Sequence, residues 1–365
     1  MFKNKFNFSH FKNDLPAGLV VWLVALPLCL GIAQGSDADP FAGIIAGIIG
    51  GLVVTIFSGS KFGVSGPAAG LITIVVAAIA ELGYEVFLLA VVLSGIIQFL
   101  LGLFRLGIVG YFIPTSVIHG MLAAIGITLI LKQIPHALGV DSDPEGDMAL
   151  NQIDGENTFS EILLSFENLA IGAFIIFLIS MIILLVWELP WFKKHEKIKL
   201  IPVSLIVVAL GALINQLFGS IGGNFGEMTF LGSSHLVDLP EALSSGNYKK
   251  LIVLPDFSIE AFSNKDVYVY AITIALVASI ETLLCLEATD KLDPDKNISP
   301  TNKELKAQGI GNFFSGLIGG LPITMVIVRS SANINAYAKT QMSAFYHGLF
   351  LLISVFAFPN ILEYI

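Results

Sequence analysis

Long apolar stretches recur along this chain, each bounded by glycine, proline or charged residues. A bilayer crossing takes about 20 apolar residues, so the pattern predicts an all-α polytopic membrane protein with eleven helical segments. In soluble domains about one quarter of the residues are charged. This chain has 55% hydrophobic and only 13% charged residues, which excludes a water-soluble fold. The predicted segments lie at about 14–35, 41–59, 66–82, 86–104, 110–131, 168–189, 200–218, 267–287, 307–320, 325–337 and 343–362.

The charge balance and the cysteines exclude several classes of function. A net charge of −9 argues against binding to polyanions, so nucleic acid is not an expected partner. The two cysteines, Cys29 and Cys285, lie inside apolar runs. Neither a disulfide framework nor a metal site can be built from them, and we interpret both as small core residues. No metal or cofactor is predicted.

The distribution of Lys and Arg predicts the orientation in the membrane, because cytoplasmic loops are enriched in both. A cytoplasmic N-terminus places 14 of the 19 basic residues inside the cell. The stretch 133–192 has no Lys or Arg and nine acidic residues, which favours an exterior loop. The cytoplasmic set is Lys3, Lys5, Lys12, Lys61, Arg105, Lys193, Lys194, Lys197, Lys199, Lys291, Lys296, Lys303, Lys306 and Lys339.

Two of the apolar segments, the third and the tenth, are shorter and more interrupted than ordinary spans. In the third, Ser65 or Gly66 is expected to cap a helix whose first residue is Pro67. The tenth follows Gly319-Gly320-Leu321-Pro322 and carries Arg329 near its start. Paired interrupted segments in the two halves of a transporter indicate its substrate site. We therefore predict two half-helices that meet near the midplane.

Two ionisable residues inside the spans are candidates for function, since charges in a bilayer are costly. Arg329 lies where a helix N-terminus already favours an anion, so it predicts a site for a small oxyanion. Glu281 lies deep in the eighth segment and suits a carboxyl that takes up and releases a coupling ion or proton. The alternative is a permanent Glu281–Arg329 ion pair that only joins two helices.

Known catalytic and nucleotide-binding motifs are missing from the sequence. No GxxxxGK[ST] loop is present, so ATP does not drive transport from within this chain. GxSxG, HExxH and CxxC are missing as well, and we do not expect an enzyme. Any transport would be secondary.

Three ordered motifs resemble the SulP family of inorganic anion transporters, which includes sulfate permeases, bicarbonate transporters and prestin. The resemblance covers nearly the whole chain. The motifs are Gly63-Val64-Ser65-Gly66-Pro67-Ala68-Ala69-Gly70-Leu71, Ser279-Ile280-Glu281-Thr282-Leu283-Leu284-Cys285, and Gly319-Gly320-Leu321-Pro322-Ile323-Thr324 followed by Arg329-Ser330-Ser331-Ala332-Asn333-Ile334.

This resemblance implies a seven-plus-seven inverted repeat in which a core domain moves against a gate domain like an elevator, in a homodimer. It implies secondary transport of sulfate or bicarbonate across the bacterial inner membrane, by symport with protons or sodium. Glu281 would be the coupling position. The anion would lie between Ser65, Gly66, Pro67, Ala68 and Val326, Ile327, Val328, Arg329.

The sequence departs from the family at two places. Relatives place Gln and an aromatic residue after the proline of the first helix, whereas here Pro27 is followed by Leu28-Cys29-Leu30. The wall that the first helix contributes to the expected anion site is therefore more apolar, unless Gln34 compensates. The chain ends at Ile365, whereas the family has further spans and usually a STAS domain. We therefore expect a first repeat at 1–218, an exterior linker at 219–266 and an incomplete second repeat of about four helices at 267–365.

Other functions remain open at this stage. A nucleobase carrier has a related fold, although a neutral substrate does not need Arg329. An uncoupled anion channel or a voltage-responsive membrane protein would also use a buried cation. The residues do not decide between sulfate and bicarbonate, since both accept N–H donors.

Overall fold

The computed structural model describes residues 8–112, 114–140, 157–189, 203–221, 229–231 and 252–357. Helices make up most of this part, and four are long and apolar enough to cross a membrane. The helices are α1 Phe11–Gly35, α2 Pro40–Phe57, α3 Ile72–Leu82, α4 Tyr84–Leu103, α5 Thr115–Leu138, α6 Thr158–Glu167, α7 Ile171–Trp187, α8 Val203–Ile221, α9 Ile259–Ser263, α10 Lys265–Leu292, α11 Thr301–Leu317, α12 Ile327–Asn335 and α13 Met342–Ala357.

Each of the eleven predicted segments corresponds to a helix, with shifts at the ends. The four long spans are α1, α2, α4 and α10. The short helices α6 and α9 were not predicted, because neither has a long apolar run. Helix α6 begins after Asn157, whose side chain accepts hydrogen bonds from the Phe159 and Ser160 N–H groups, and it is bent from α7 by 109°.

The predicted start of the third segment is wrong. Ser65–Pro67 is a short strand, β1, and not the capped first turn of a helix. It pairs antiparallel with a second strand, β2, at Ile323–Met325, in the register Ser65↔Met325, Gly66↔Thr324 and Pro67↔Ile323. A residue that precedes proline favours extended backbone, and the pairing satisfies the extended segment. The helix begins only afterwards, with a 3-10 turn at Ala69–Leu71 that leads into α3.

The ninth segment starts six residues before the predicted 307, because the beginning of α11 is polar and nevertheless buried. Glu304 is fully buried there and accepts a hydrogen bond from the Ser58 hydroxyl at 2.6 Å. Helix α11 ends at Leu317, and Gly319 takes a left-handed backbone conformation at φ +88° that leads into β2. Hydropathy alone does not detect a buried polar turn of this kind.

Glycines allow the helices around the two strands to approach closely. A Cβ added at Gly95 of α4 would lie 2.4 Å from the backbone nitrogen of Phe313 in α11. The reverse contact is similar, with Gly309 of α11 against Phe99 of α4 at 2.5 Å. Small residues let membrane helices pack backbone to backbone. The α4–α11 pair is therefore closely packed, and α11 contacts β2.

The chain folds into two compact units that alternate along the sequence. One unit is formed mainly by Met1–His119 and Pro240–Phe358, and it contains β1, β2, α3 and α12. The other is formed mainly by Gly120–Pro144 and Met148–Leu239. The predicted division into a first repeat at 1–218, an exterior linker at 219–266 and a partial second repeat at 267–365 is a different division from these compact units. It stays a prediction. Part of the predicted acidic loop, 141–156, and much of the predicted linker lie outside the described residues.

Candidate anion-binding site

The β1–β2 pair brings the two predicted halves of the site together. Helix α3 follows β1 after a short turn, and α12 follows β2 after Val326, which has extended backbone at φ −113°. The Val326 N–H donates to the Val64 carbonyl at 2.9 Å, which extends the pairing by one residue. The predicted set Ser65, Gly66, Pro67, Ala68, Val326, Ile327, Val328 and Arg329 therefore occupies one neighbourhood.

Arg329 is the third residue of α12 and is fully buried, with 0% exposure. Among the described residues, none forms a hydrogen bond with its three guanidinium nitrogens. Burial of an unpaired charge costs several kcal/mol. An anion bound beside the guanidinium would offset this cost.

The space for the Arg329 guanidinium is provided by Gly66. A Cβ added at Gly66 would lie only 2.0 Å from Nη1 of Arg329, so any larger residue would collide with the guanidinium. This contact explains the glycine in the Ser65-Gly66-Pro67 motif by packing. It also places the positive charge directly against β1.

Glu281 lies on α10 near the same two segments. Its Oε2 atom is buried and has no hydrogen-bond partner in the described part of the chain. The neighbouring groups are the Gly70 backbone, where an added Cβ would lie 3.1 Å from Oε2, and the Thr324 hydroxyl. Since the Arg329 nitrogens are unpaired as well, the alternative of a permanent Glu281–Arg329 ion pair is wrong for this conformation.

The sequence analysis missed a polar face of α11 that holds both strands. The Gln308 amide donates to the Ser65 hydroxyl at 2.7 Å and to Glu304 at 3.0 Å. Asn312 accepts from the Ile323 N–H at 2.6 Å and donates to the Ile323 carbonyl at 3.0 Å. Glu304, Gln308 and Asn312 recur every four positions and are buried. This spacing in the sequence would have indicated a buried polar stripe.

Helix α12 is joined to the chain before β1 by two side chains. The Ser330 hydroxyl accepts from the Val64 N–H at 3.0 Å, and the Asn333 amide donates to the Phe62 carbonyl at 3.0 Å. Both residues are fully buried. These bonds fix the start of α12, and with it Arg329, relative to β1.

The first helix contributes Cys29 to this neighbourhood. Cys29 and Cys285 are both buried free thiols, as predicted for small core residues. The Cys29 thiol also lies beside the Arg329 guanidinium, so the segment after Pro27 borders this neighbourhood. Gln34, proposed as a compensating polar group, is exposed in the last turn of α1.

Known proteins share both the sequence pattern and the fold. The sulfate permease family matches residues 11–365. YvdB of Bacillus subtilis is 28% identical over 97% of this chain and 61% of that protein. The bicarbonate transporter BicA of Picosynechococcus is 26% identical over 96% of this chain and 58% of BicA. The chain thus spans about three fifths of these relatives.

The fold is similar to the solved transmembrane domain of a cyanobacterial bicarbonate transporter BicA. The TM-score is 0.67 at 24% identity, and the match covers 100% of this chain and 87% of that domain. The prediction of an all-α inverted-repeat membrane fold is confirmed, with the two-stranded β1–β2 pair as an addition to it. By the match over residues 11–365, the chain belongs to the sulfate permease family.

Proposed function

We propose that this chain carries a small inorganic oxyanion, sulfate or bicarbonate, across the bacterial inner membrane by secondary active transport. The observation that carries the proposal is the buried, unpaired guanidinium of Arg329 at the start of α12. Helix N-termini and guanidinium groups both favour oxyanions. Family membership and the likeness to a bicarbonate transporter support an anion as the substrate.

Glu281 is the proposed coupling residue, for a proton or a sodium ion. Its carboxyl has an unpaired buried oxygen beside Gly70 and Thr324, close to the strand pair but without an ion pair to Arg329. A carboxylate whose partner is not fixed can exchange a small cation during a cycle. The proposed cycle is an elevator movement within a homodimer, with the N-terminus in the cytoplasm.

Two other functions remain possible outcomes of a transport experiment. A nucleobase carrier would leave the Arg329 charge uncompensated, since its substrate is neutral. A channel or a voltage-responsive protein would use Arg329 without coupling, so a Glu281 substitution would leave its ion flux unchanged.

The test is uptake of labelled sulfate and bicarbonate by the full-length protein in proteoliposomes, with and without pH and sodium gradients. Arg329→Gln removes the charge and is expected to abolish uptake. Arg105→Gln removes an exposed charge and is the matched control. Glu281→Gln is expected to remove the gradient dependence, whereas Glu287→Gln, on the same helix and paired with Lys291, is expected to retain it.

Three outcomes would contradict the proposal. Uptake that survives Arg329→Gln contradicts the site. Uptake that keeps its gradient dependence in Glu281→Gln contradicts the coupling role. Competition by uracil, without competition by either anion, favours the nucleobase carrier.

A further inference from the structure

The segment before α10 presents a row of large apolar side chains on the surface of its compact unit. It covers residues 252–262, within the predicted exterior linker. Ile259 is the most exposed member of the row, at 86%. A contiguous apolar patch is unusual on a surface that faces water, and it marks an interaction site. The exposed set is Ile252, Leu254, Phe257, Ile259 and Phe262.

The opposite side of the segment is fixed to the protein. Val253 and Pro255 alternate with exposed residues, and Pro255 is buried. Val253 packs against the main core cluster, and a Cβ added at Gly319 would lie 2.6 Å from the Val253 carbonyl oxygen. Ala261 of α9 is buried as well. The exposed row is therefore the outer face of an amphipathic segment whose inner face is packed.

The segment lies at the level where two membrane spans begin. The Asp256 N–H donates to the Glu85 carbonyl in the first turn of α4 at 3.0 Å, and α10 begins at Lys265, just after the segment. Helix α4 has 20 residues. It is therefore about 30 Å long, which is the thickness of the hydrocarbon layer. The start of α4, and the segment bonded to it, thus lie at one boundary of this layer.

The backbone of the segment restricts its environment further. Residues 252–258 are neither helix nor strand, and in the described part of the chain the backbone N–H groups of Leu254 and Phe257 have no acceptor. Unpaired N–H groups are excluded from hydrocarbon, whereas the apolar side chains disfavour water. The headgroup region satisfies both, because water and lipid oxygens accept from the N–H groups while acyl chains cover the side chains.

We propose that residues 252–262 form a lipid-binding anchor in the headgroup region, in the leaflet where α4 and α10 begin. The exposed apolar surface continues from the segment onto the span α10 at Val269 and Ile272, which supports lipid as the occupant. Because Val253 contacts Gly319 in the turn before β2, the anchor also connects the bilayer surface to the strand pair. The inference is independent of the solute that the chain carries.

The charges near the segment indicate which lipids it can bind. The charged residues between 252 and 266 are Asp256, Glu260, Lys265 and Asp266, a net charge of −2 (1 − 3). Segments that select anionic lipids carry clusters of Lys or Arg. The anchor is therefore expected to bind zwitterionic and anionic bilayers alike, through its apolar face.

The test is the depth of spin labels on the full-length protein in phosphatidylcholine vesicles. Leu254→Cys and Ile259→Cys each place a nitroxide on the exposed row. The native thiols of Cys29 and Cys285 are buried, and labelled wild-type protein gives their background. Oxygen concentrates among the acyl chains and a nickel chelate stays in water, so the ratio of their collision rates with the label measures its depth.

Ile298→Cys is the matched control. Ile298 is the same residue type as Ile259 and is 78% exposed, but it lies in a polar loop after α10. Helix α10 has 28 residues. At about 42 Å it is longer than the hydrocarbon layer, so the loop after it is expected to lie in water.

The ratio of oxygen to nickel collisions is expected to be about three- to tenfold higher at positions 254 and 259 than at 298, as for side chains about 5–10 Å inside the boundary. A ratio equal to that at 298 overturns the inference, because the segment would lie in water. Labels shielded from both reagents also overturn it, since a second copy or another protein segment would cover the row. Added phosphatidylglycerol should change the ratios by less than about twofold, and a rise that requires this lipid overturns the apolar mode of binding.

Discussion

The two strands at the centre of the site differ in what they bring to it. Strand β1 and the turn after it carry no charge, and their main contribution is space, since Gly66 leaves room for the Arg329 guanidinium. Strand β2 leads into α12, which supplies the positive charge. The space and the charge come from opposite ends of the chain, 263 residues apart (329 − 66). An anion site of this kind forms only when the strands pair.

The strands also differ in how they are held. In β2, the backbone N–H and the backbone carbonyl of Ile323 both form hydrogen bonds with the Asn312 side chain. In β1, Gln308 instead bonds the side chain of Ser65. Buried backbone groups that lose their partners are costly. The comparison therefore predicts that β2 is the more firmly fixed of the two strands, and that the charged half of the site depends on Asn312.

The largest effect on stability is expected from Asn312→Leu. The substitution leaves the N–H and the carbonyl of Ile323 without partners, at about 1 to 3 kcal/mol for each group, or about 2 to 6 kcal/mol in all. Gln308→Leu tests the comparison, since it affects side-chain partners only and should cost less. Thermal unfolding of the full-length protein in detergent measures both. Equal losses would mean that the two strands are held with similar strength.

A smaller effect on stability, with a larger one on binding, is expected from Gly66→Ala. The new methyl group would lie 2.0 Å from Nη1 of Arg329, and this atom is at the end of a flexible side chain. We expect the guanidinium to move, at an overpacking cost of about 1 to 3 kcal/mol. Sulfate binding should weaken because the charge has left its position.

Gly126→Ala is the control, because a Cβ at this helical glycine meets nothing within 4 Å. It should leave both unfolding temperature and sulfate affinity close to those of the wild type. If Gly66→Ala keeps normal sulfate affinity, the position of the guanidinium against β1 is not needed for binding, and the division into space and charge fails.

The two halves of the site also differ in how far the sequence predicts them. The start of α12 was predicted closely, because Gly319, Gly320 and Pro322 interrupt the apolar run and Arg329 follows. The predicted start of α3 was wrong, because Pro67 fits both the first turn of a helix and an extended strand. Local sequence does not distinguish these conformations. The partner strand, more than 250 residues away, decides between them.

Polar residues in the core were the other limit of prediction. Hydropathy identified the spans but not the buried beginning of α11, where Glu304 is satisfied by Ser58 and Gly59.

The smallest effect on stability is expected from an ion pair close to the start of β1. Nζ of Lys61 lies 2.6 Å from Oδ2 of Asp295. The hydrogen bond and the charge of Lys61 hold the pKa of Asp295 below its ordinary value. The pair therefore stabilises the fold above the ordinary Asp pKa of about 3.9, and this contribution is lost as pH falls through the lowered pKa. Both side chains are partly exposed to solvent, so the contribution is small.

A double-mutant cycle of Asp295→Asn and Lys61→Met isolates this pair from other effects of each substitution. At pH 7 and low salt, the coupling between the two substitutions should be small but measurable in the unfolding temperature. At pH 3 or in 1 M salt it should fall towards zero, because protonation or screening removes the attraction. Coupling that persists under both conditions would mean that the loop after α10 is fixed to the β1 side by packing and not by charge.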